Sequence, residues 1–459
     1  MEGNSMKYAI ILAAGKGSRM KSKINKVMHK VVDRPIIGHL VEKLETIGTQ
    51  EIDVVVGYQQ EQIREYLQDR VEYSFQDEQL GTAHALKQVQ SLKDKEGKTI
   101  ILVGDAPLIQ VETMNQLFDA AQEADLVILT AQLQDPLHYG RVIRDNTGEV
   151  KGIVEYADTN DEQKNINEIF TGVMVIDNQL LFEYINQVDN NNTKGEYYHT
   201  DLVKLLANDK HVVKAIRIRD VDETMGVNDR IQLASANLWL QRKINEHWMN
   251  EGVTLLHPER TYISIETKLE SDVTIYPNVH IRGKSLIKTG TVILPGSWIE
   301  NSVIGENSRI DSSKIMDSQI GNGSIVGPFS HVRMNCEIGD NVRIGNFNEL
   351  KNTTVKKDSR MAHLSYLGDA QVGEDVNIGC GVVSVNYDGK NKYETVIEDQ
   401  AFIGSGSNLI APIKVGKQAV VAAGSTISND VKAGDMVIER SPEIVKEGKG
   451  LKYIKKEGE

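Results

Sequence analysis

The chain of 459 residues is longer than one hydrophobic core serves, so two or more domains are expected. Hydrophobic residues make up 40% and charged residues 25%, as in a globular protein, and a formal net charge of -13 argues against coating nucleic acid or anionic membranes. No apolar stretch nears the roughly 18 residues a membrane span needs, and Cys336 and Cys380, too far apart for a metal-ligand pattern, read as free thiols of a reducing cytoplasm.

Met6 is the expected natural start, and residues 9–13 form the first strand-like run, too short for a signal segment. Residues 52–56, 99–103 and 126–130 repeat that character, with amphipathic helical patterns at 36–47 and 61–67 between them. Strands alternating with helices predict a parallel, Rossmann-like α/β sheet with its ligands at the carboxyl ends of the strands. The run Leu12-Ala13-Ala14-Gly15-Lys16-Gly17-Ser18-Arg19-Met20, followed by Lys26, sits at such an end. Its glycines let backbone N–H groups approach a phosphate, and Arg19 and Lys26 can neutralise one. A tight strand-to-helix turn with solvated lysines is the plainer alternative.

Residues 229–250 form one long helical pattern, with Ile231, Leu238, Ile244 and Trp248 near helical spacing and Glu251-Gly252 ending it. Beyond it the rhythm changes. Leu269, Ile275, Ile281, Ile287, Ile293 and Ile299 fall every six residues; so do Val326, Val332, Ile338, Ile344 and Leu350, and Ile397, Ile403, Leu409, Val415, Val421 and Ile427. A period of six matches neither a helix nor one long strand. It predicts an all-β left-handed parallel β-helix, three short strands per coil, each sending one aliphatic residue inward. The period lapses between Ile378 and Ile397, where Val385-Asn386-Tyr387-Asp388-Gly389-Lys390-Asn391-Lys392-Tyr393 forms a polar loop of the kind that carries function on a rigid scaffold. His363 breaks the aliphatic pattern too, and a histidine titrating near neutrality is the usual base for an amine.

The front half resembles the sugar-1-phosphate nucleotidyltransferases, through the glycine-rich run, Gln76 to His84, Gly104-Asp105-Ala106-Pro107, Tyr139-Gly140-Arg141, Ile153-Val154-Glu155 and Gly226-Val227-Asn228-Asp229. With the repeats behind it, nearly the whole chain resembles the bifunctional N-acetylglucosamine-1-phosphate uridyltransferases and glucosamine-1-phosphate acetyltransferases. That resemblance implies a uridyltransferase domain at 1–228, a linker helix at 229–252, an acetyltransferase β-helix at 253–440 and a tail at 441–459. It implies that Leu12, Ala13, Ala14, Gly15, Gln76, Gly81 and Thr82 cradle the uracil and ribose of UTP. Gly140, Glu155 and Asn228 hold the sugar, Asp105 and Asn228 hold Mg2+, and Arg19 and Lys26 stabilise the transferring phosphate. For acetyl transfer it implies His363 as base, oriented by Glu349; Arg333, Lys351, Tyr366, Asn377 and Lys392 on glucosamine 1-phosphate; and Cys380, Asn386, Tyr387, Ser405, Ala423 and Arg440 on acetyl-CoA. The products would be N-acetylglucosamine 1-phosphate, then UDP-N-acetylglucosamine and pyrophosphate, from a cytoplasmic homotrimer.

Several positions depart from the family pattern. Asn25 stands where proline is usual, His138 where glycine is, Phe170 where an asparagine contacts the sugar, Cys380 where a small residue is and Val382 where threonine is. Phe170 can neither donate nor accept the missing hydrogen bond. Two other readings compete: a different sugar-1-phosphate nucleotidyltransferase on a non-catalytic β-helix, and a non-catalytic oligomerisation protein.

Overall fold

The computed structural model describes residues 5–136 and 138–454, so Leu137 and the two chain ends lie outside it. The chain divides into two units between Leu240 and Gln241.

In the first unit the apolar runs become strands because they are buried on both faces, as sheet strands covered by helices must be. In chain order these are β1 (Lys7–Leu12), helix α1 (Ile36–Thr46), β2 (Glu51–Val56), α2 (Gln60–Leu67), β3 (Glu72–Phe75), α3 (Thr82–Leu86), β4 (Lys98–Val103), α4 (Val111–Ala120), β5 (Leu126–Gln132), β6 (Arg141–Arg144), β7 (Val150–Val154), β8 (Glu168–Asp177), α5 (Asp201–Asn208) and β9 (Val213–Arg217). The sheet order is β9-β5-β8-β4-β1-β2-β3, with β6 joined to β8 and to β7. The sheet is mixed rather than parallel: β8 runs antiparallel to both β4 and β5. Chain connectivity explains the difference. After β5 the chain makes the β6–β7 hairpin and returns without the long crossover that a parallel strand requires.

The helix α6 (Arg230–Asn250) is capped by Asp229, whose Oδ1 accepts from the N–H groups of Ile231 and Gln232 at 2.9 and 2.8 Å. Its apolar contacts differ from the expectation. Ile231 and Leu238 are exposed, at 79% and 68%, because the buried face in the first unit runs through Leu233, Ala236, Trp239 and Leu240. Ile244 and Trp248 pack instead against the core of the second unit.

The second unit is a parallel β-helix whose short strands stack into three sheets of 11, 10 and 9 strands among the described residues. Every aliphatic residue in the six-residue series is buried, and together they form one continuous core. Val382 lies in that core as well. Residues beyond the last strand, Met436–Val437, are exposed through Ile454.

Candidate active sites

The first site lies at the carboxyl ends of β1, β2, β3 and β4. The Ala13 N–H donates to Val55 O at 2.9 Å, the Gln76 N–H to Val56 O at 2.9 Å and the Gly104 N–H to Leu12 O at 2.9 Å. These bonds draw Leu12, Ala13, Ala14 and Gln76 together, while the Cα of Gly15 faces open space. At Gly17, φ is +58° and a Cβ would meet the Lys26 Cβ at 2.6 Å, so glycine there permits the approach of Lys26. The Lys26 Nζ then bonds Asp105 Oδ2 at 2.6 Å and Asn228 Oδ1 at 3.2 Å, and Arg19 Nη2 bonds Asn228 Oδ1 at 2.9 Å. The Val227 N–H on Asp105 O, at 2.8 Å, holds that loop in place. Four predicted residues, more than 200 positions apart at the extremes, therefore meet at one point.

Asn25 is 2% exposed and serves its site with hydrogen bonds. Its N–H donates to Gln62 Oε1 at 2.9 Å, its Nδ2 to Tyr58 O at 2.8 Å, and its Oδ1 accepts from the Val27 N–H at 3.1 Å. With φ at -54°, its backbone is the one proline would enforce.

A second cluster continues the site. The Gln76 Nε2 donates to Gly81 O at 3.1 Å, and Thr82 Oγ1 accepts from the His199 N–H at 3.0 Å. Thr200 Oγ1 donates to Glu155 Oε1 at 3.1 Å, and burial pushes the Glu155 carboxyl above its ordinary range. A Cβ at Gly140 would lie 3.7 Å from both Glu155 carboxylate oxygens. Burial first, then the charge of Asp105, raises the neighbouring Tyr139 phenol, so this cluster adjoins Asp105. His138 is exposed and sets its ring edge-on against Tyr156 at 4.7 Å. Phe170 is 5% exposed; its N–H donates to Gly140 O at 2.9 Å and its ring lies 5.6 Å from that of His199. His199 and Thr200 carried no signal in the sequence beyond the polar run Glu196 to Asp201.

In the β-helix, strand register aligns Asn346 with His363, and the pairings of Ile378 with Met361 and Ile403, and of Ile403 with Val421, carry the same column on to Cys380, Ser405 and Ala423. The coils stack closely there: a Cβ at Gly379 would meet Ser405 N at 2.6 Å, and one at Gly404 would meet Ala423 N at 2.4 Å. Arg440 closes the column beside Gly424. The Cys380 carbonyl accepts from the Gly406 N–H at 2.7 Å, while its own N–H makes no hydrogen bond among the described residues.

The His363 Nδ1 lies 2.6 Å from Asn346 Oδ1. Glu349 does not reach His363 within the chain; its carboxylate accepts from Arg333 Nε and Nη2 at 3.0 and 2.7 Å. The corner between the two residues explains the separation, because Glu349 opens the next strand, where it pairs with Tyr366. Asn346 was missed, although 17 residues, one coil less a residue, separate it from His363. Arg333 and Lys351 project from the same sheet. Contact with the Lys392 ammonium, then burial, with the Arg333 charge adding to them, pulls the Lys351 ammonium below its ordinary range. Asn377 stands outward on the neighbouring sheet.

The loop holding Lys392 is an ordered hairpin. Tyr393 N–H donates to Asn386 O at 2.9 Å, and Asp388 Oδ1 accepts from the N–H groups of Lys390 and Asn391 at 2.8 and 2.7 Å. Those backbone donors hold the Asp388 carboxyl below its usual range. Asn386 Nδ2 anchors the loop to Asp369 Oδ2 at 2.6 Å, and Tyr387 remains exposed.

Comparison with known proteins follows this division. Residues 9–158 match the model of the MobA-like NTP transferase domain, and residues 317–352 that of the bacterial transferase hexapeptide, six repeats. The chain is 44% identical over 456 residues to the bifunctional protein GlmU of Shouchella clausii, covering 99% of this chain and all of that one. It is 45% identical to the bifunctional protein GlmU of Listeria monocytogenes over 97% of this chain and 98% of the relative. For the protein of that name from an Exiguobacterium species the figures are 46% identity, 96% of this chain and 99% of the relative.

Proposed function

The chain belongs to the family of the bifunctional protein GlmU, and from that premise we propose that it performs two successive transfers on an aminosugar phosphate. In the β-helix, acetyl-CoA acetylates the amine of glucosamine 1-phosphate; in the first unit, UTP uridylates the product to UDP-N-acetylglucosamine and pyrophosphate. The observation that carries this reading is that each unit gathers its own anion-binding cations beside a side chain suited to the chemistry: Arg19 and Lys26 beside Asp105, and, near the His363 corner, Arg333 and Lys351 on one sheet with Lys392 of the hairpin loop against Lys351.

In acetyl transfer, Asn346 Oδ1 accepts from His363 Nδ1, which leaves Nε2 with its lone pair as base. His363 takes the amine proton as nitrogen attacks the thioester carbonyl; the C–S bond breaks and the proton passes to the departing thiol. The Cys380 N–H polarises the carbonyl, while Ser405, Ala423, Arg440 and the Asn386-Tyr387 hairpin hold the carrier along the column. Arg333, Lys351, Tyr366, Asn377 and Lys392 bind the sugar phosphate, whose charge relieves the mutual repulsion of the cations. Glu349 acts through Arg333 in the chain as it stands.

In uridylyl transfer, an oxygen of the sugar phosphate attacks the α-phosphorus of UTP and the bond to pyrophosphate breaks. Leu12 to Gly15, Gln76, Gly81 and Thr82 hold the nucleoside, and Gly140, Glu155 and Asn228 hold the sugar. Arg19 and Lys26 neutralise charge that develops on the phosphates. The oxygens of Asp105 and Asn228, already converging on one cation, fit Mg2+, which takes one or two protein ligands and completes its shell with phosphate and water. When bound, Mg2+ supplies further neutralisation of the phosphate charge.

The acetyltransferase site is completed in a homotrimer. Phe329, Phe347 and Leu364 occupy one corner of successive coils, 60%, 55% and 60% exposed, with the two rings stacked at 5.5 Å. An apolar stripe beside His363 supports a neighbouring subunit there, as does the position of Asn377 on a different sheet from Arg333 and Lys351. Among the described residues no helix is long and apolar enough to cross a membrane, and a cytoplasmic location fits the substrates.

The test is paired. CoA thiol release from acetyl-CoA and glucosamine 1-phosphate should be lost in His363→Ala, and pyrophosphate release from UTP and N-acetylglucosamine 1-phosphate in Asp105→Ala. Pyrophosphate release without any CoA release by the intact chain would reduce the β-helix to a scaffold.

A further inference from the structure

Phe170 stands where the family has an asparagine on the acceptor sugar and offers no hydrogen bond, yet the structure holds two buried polar atoms without partners in the segment that packs against it. They are Tyr198 Oη and His199 Nε2. His199 is 5% exposed, and its surroundings are specific. Its ring lies 5.6 Å from the Phe170 ring, its N–H and Nδ1 both contact Thr82 Oγ1, at 3.0 and 2.8 Å, and the next residue, Thr200, bonds Glu155. His199 therefore stands between the threonine read as a nucleoside contact and the glutamate read as a sugar contact.

Thr82 Oγ1 accepts from the His199 N–H at 3.0 Å and meets Nδ1 at 2.8 Å. With one proton and a second lone pair, the hydroxyl can serve Nδ1 as donor or as acceptor. When it donates to Nδ1, Nε2 carries the ring proton, and that tautomer is the one the inference uses. Burial holds the ring neutral, with its pKa lowered to about 4. A neutral N–H donor buried without a partner is costly unless a ligand or water satisfies it. Phe170 cannot, because its ring presents only carbon and hydrogen.

We propose that His199 is a specificity-determining residue of the uridyltransferase site, donating through Nε2 to the acceptor sugar the hydrogen bond that Phe170 cannot supply. The group best suited to receive it is the carbonyl oxygen of a 2-acetamido substituent, a neutral acceptor that a buried neutral donor recognises without transfer of charge. The inference rests on the uridyltransferase reading and adds to it a residue that distinguishes N-acetylated from unsubstituted hexose 1-phosphates.

Two substitutions of the full chain separate the two ring nitrogens. His199→Asn keeps a polar atom near Nδ1 for Thr82 but has none at Nε2; His199→Gln extends one toward Nε2. Steady-state pyrophosphate release would be measured with N-acetylglucosamine 1-phosphate and with glucose 1-phosphate. His199→Asn should raise KM for the acetylated acceptor about tenfold, as loss of one neutral hydrogen bond implies, and raise it by a clearly larger factor than KM for glucose 1-phosphate. His199→Gln should recover most of the loss, and Phe170→Asn in the His199→Asn background should recover part of it. Equal effects of both His199 variants on both substrates, or no change in acceptor KM with His199→Asn, would overturn the inference while leaving uridylyl transfer intact. An unaltered chain that releases no pyrophosphate with either acceptor would overturn the uridyltransferase reading and this inference with it.

Discussion

The His363 imidazole is held through Nδ1 by Asn346 Oδ1 at 2.6 Å, one coil below it in the β-helix. Because successive coils stack in register, the orientation of the imidazole proposed as base is set by the residue beneath it, and Glu349 bonds Arg333 instead. Asn346→Ala should therefore lower kcat for acetyl transfer about tenfold, against about a hundredfold or more for His363→Ala, since the base survives but its tautomer and aim do not. CoA thiol release would show it, with pyrophosphate release unchanged.

Asp105 and Asn228 share the Lys26 ammonium. Lys26→Met should lower uridylyl transfer at least about a hundredfold, the scale on which a positioned charge-stabilising donor matters. Chelation of divalent metal with EDTA should abolish pyrophosphate release and leave CoA release untouched, because the acetyl transfer proposed for the β-helix draws on His363 and backbone N–H donors. Parallel assays of both products on one preparation check this.

Asn25 caps the turn that begins at Lys26 and ties it to Tyr58. Asn25→Ala removes both side-chain bonds and should destabilise the first unit by about 1–2 kcal/mol. Thermal unfolding with and without UTP would read it.

His39 and His199 are both buried neutral, with pKa values lowered to about 4, chiefly by burial; the charges of Lys43 and Arg34 add to the effect at His39. In the unfolded chain each takes up a proton near its ordinary value of 6.5. The unfolded state thus binds more protons between about pH 6.5 and 4, so their contribution is fully present above that window and is lost as pH falls through it, by about 3 kcal/mol each. The melting temperature should drop across this window, and His39→Gln should flatten part of the slope.

Phe347 stacks on Phe329 at 5.5 Å and is 55% exposed. Phe347→Glu places a charge in the stripe proposed to meet a neighbouring subunit, where desolvation opposes it. Sedimentation should show the proposed trimer dissociating, with acetyl transfer falling at least about tenfold and uridylyl transfer preserved.

The β-helix core was legible residue by residue, because an inward aliphatic position recurs at a fixed spacing whatever the surroundings. The strand-end residues of the first site were legible too, since glycines and cations cluster where a phosphate can approach. The antiparallel direction of β8 was not, because it depends on the path of the chain after β5 and not on the composition of the strand. Nor was the buried face of α6: Ile231 and Leu238 match a helical period, but which stripe is covered depends on what packs there.

The sequence by itself determined two architectures and the residue types of two chemistries, since periodicity and local motifs act over a few neighbours. Only the tertiary structure decided which groups meet: Asn346 with His363, Arg333 with Glu349, Lys26 with Asp105 and Asn228, His199 with Thr82 and Phe170. Those pairings span from 16 to more than 200 residues of chain. Hydrogen bonds and desolvation act over a few ångströms of space, and distance along the chain does not report that separation.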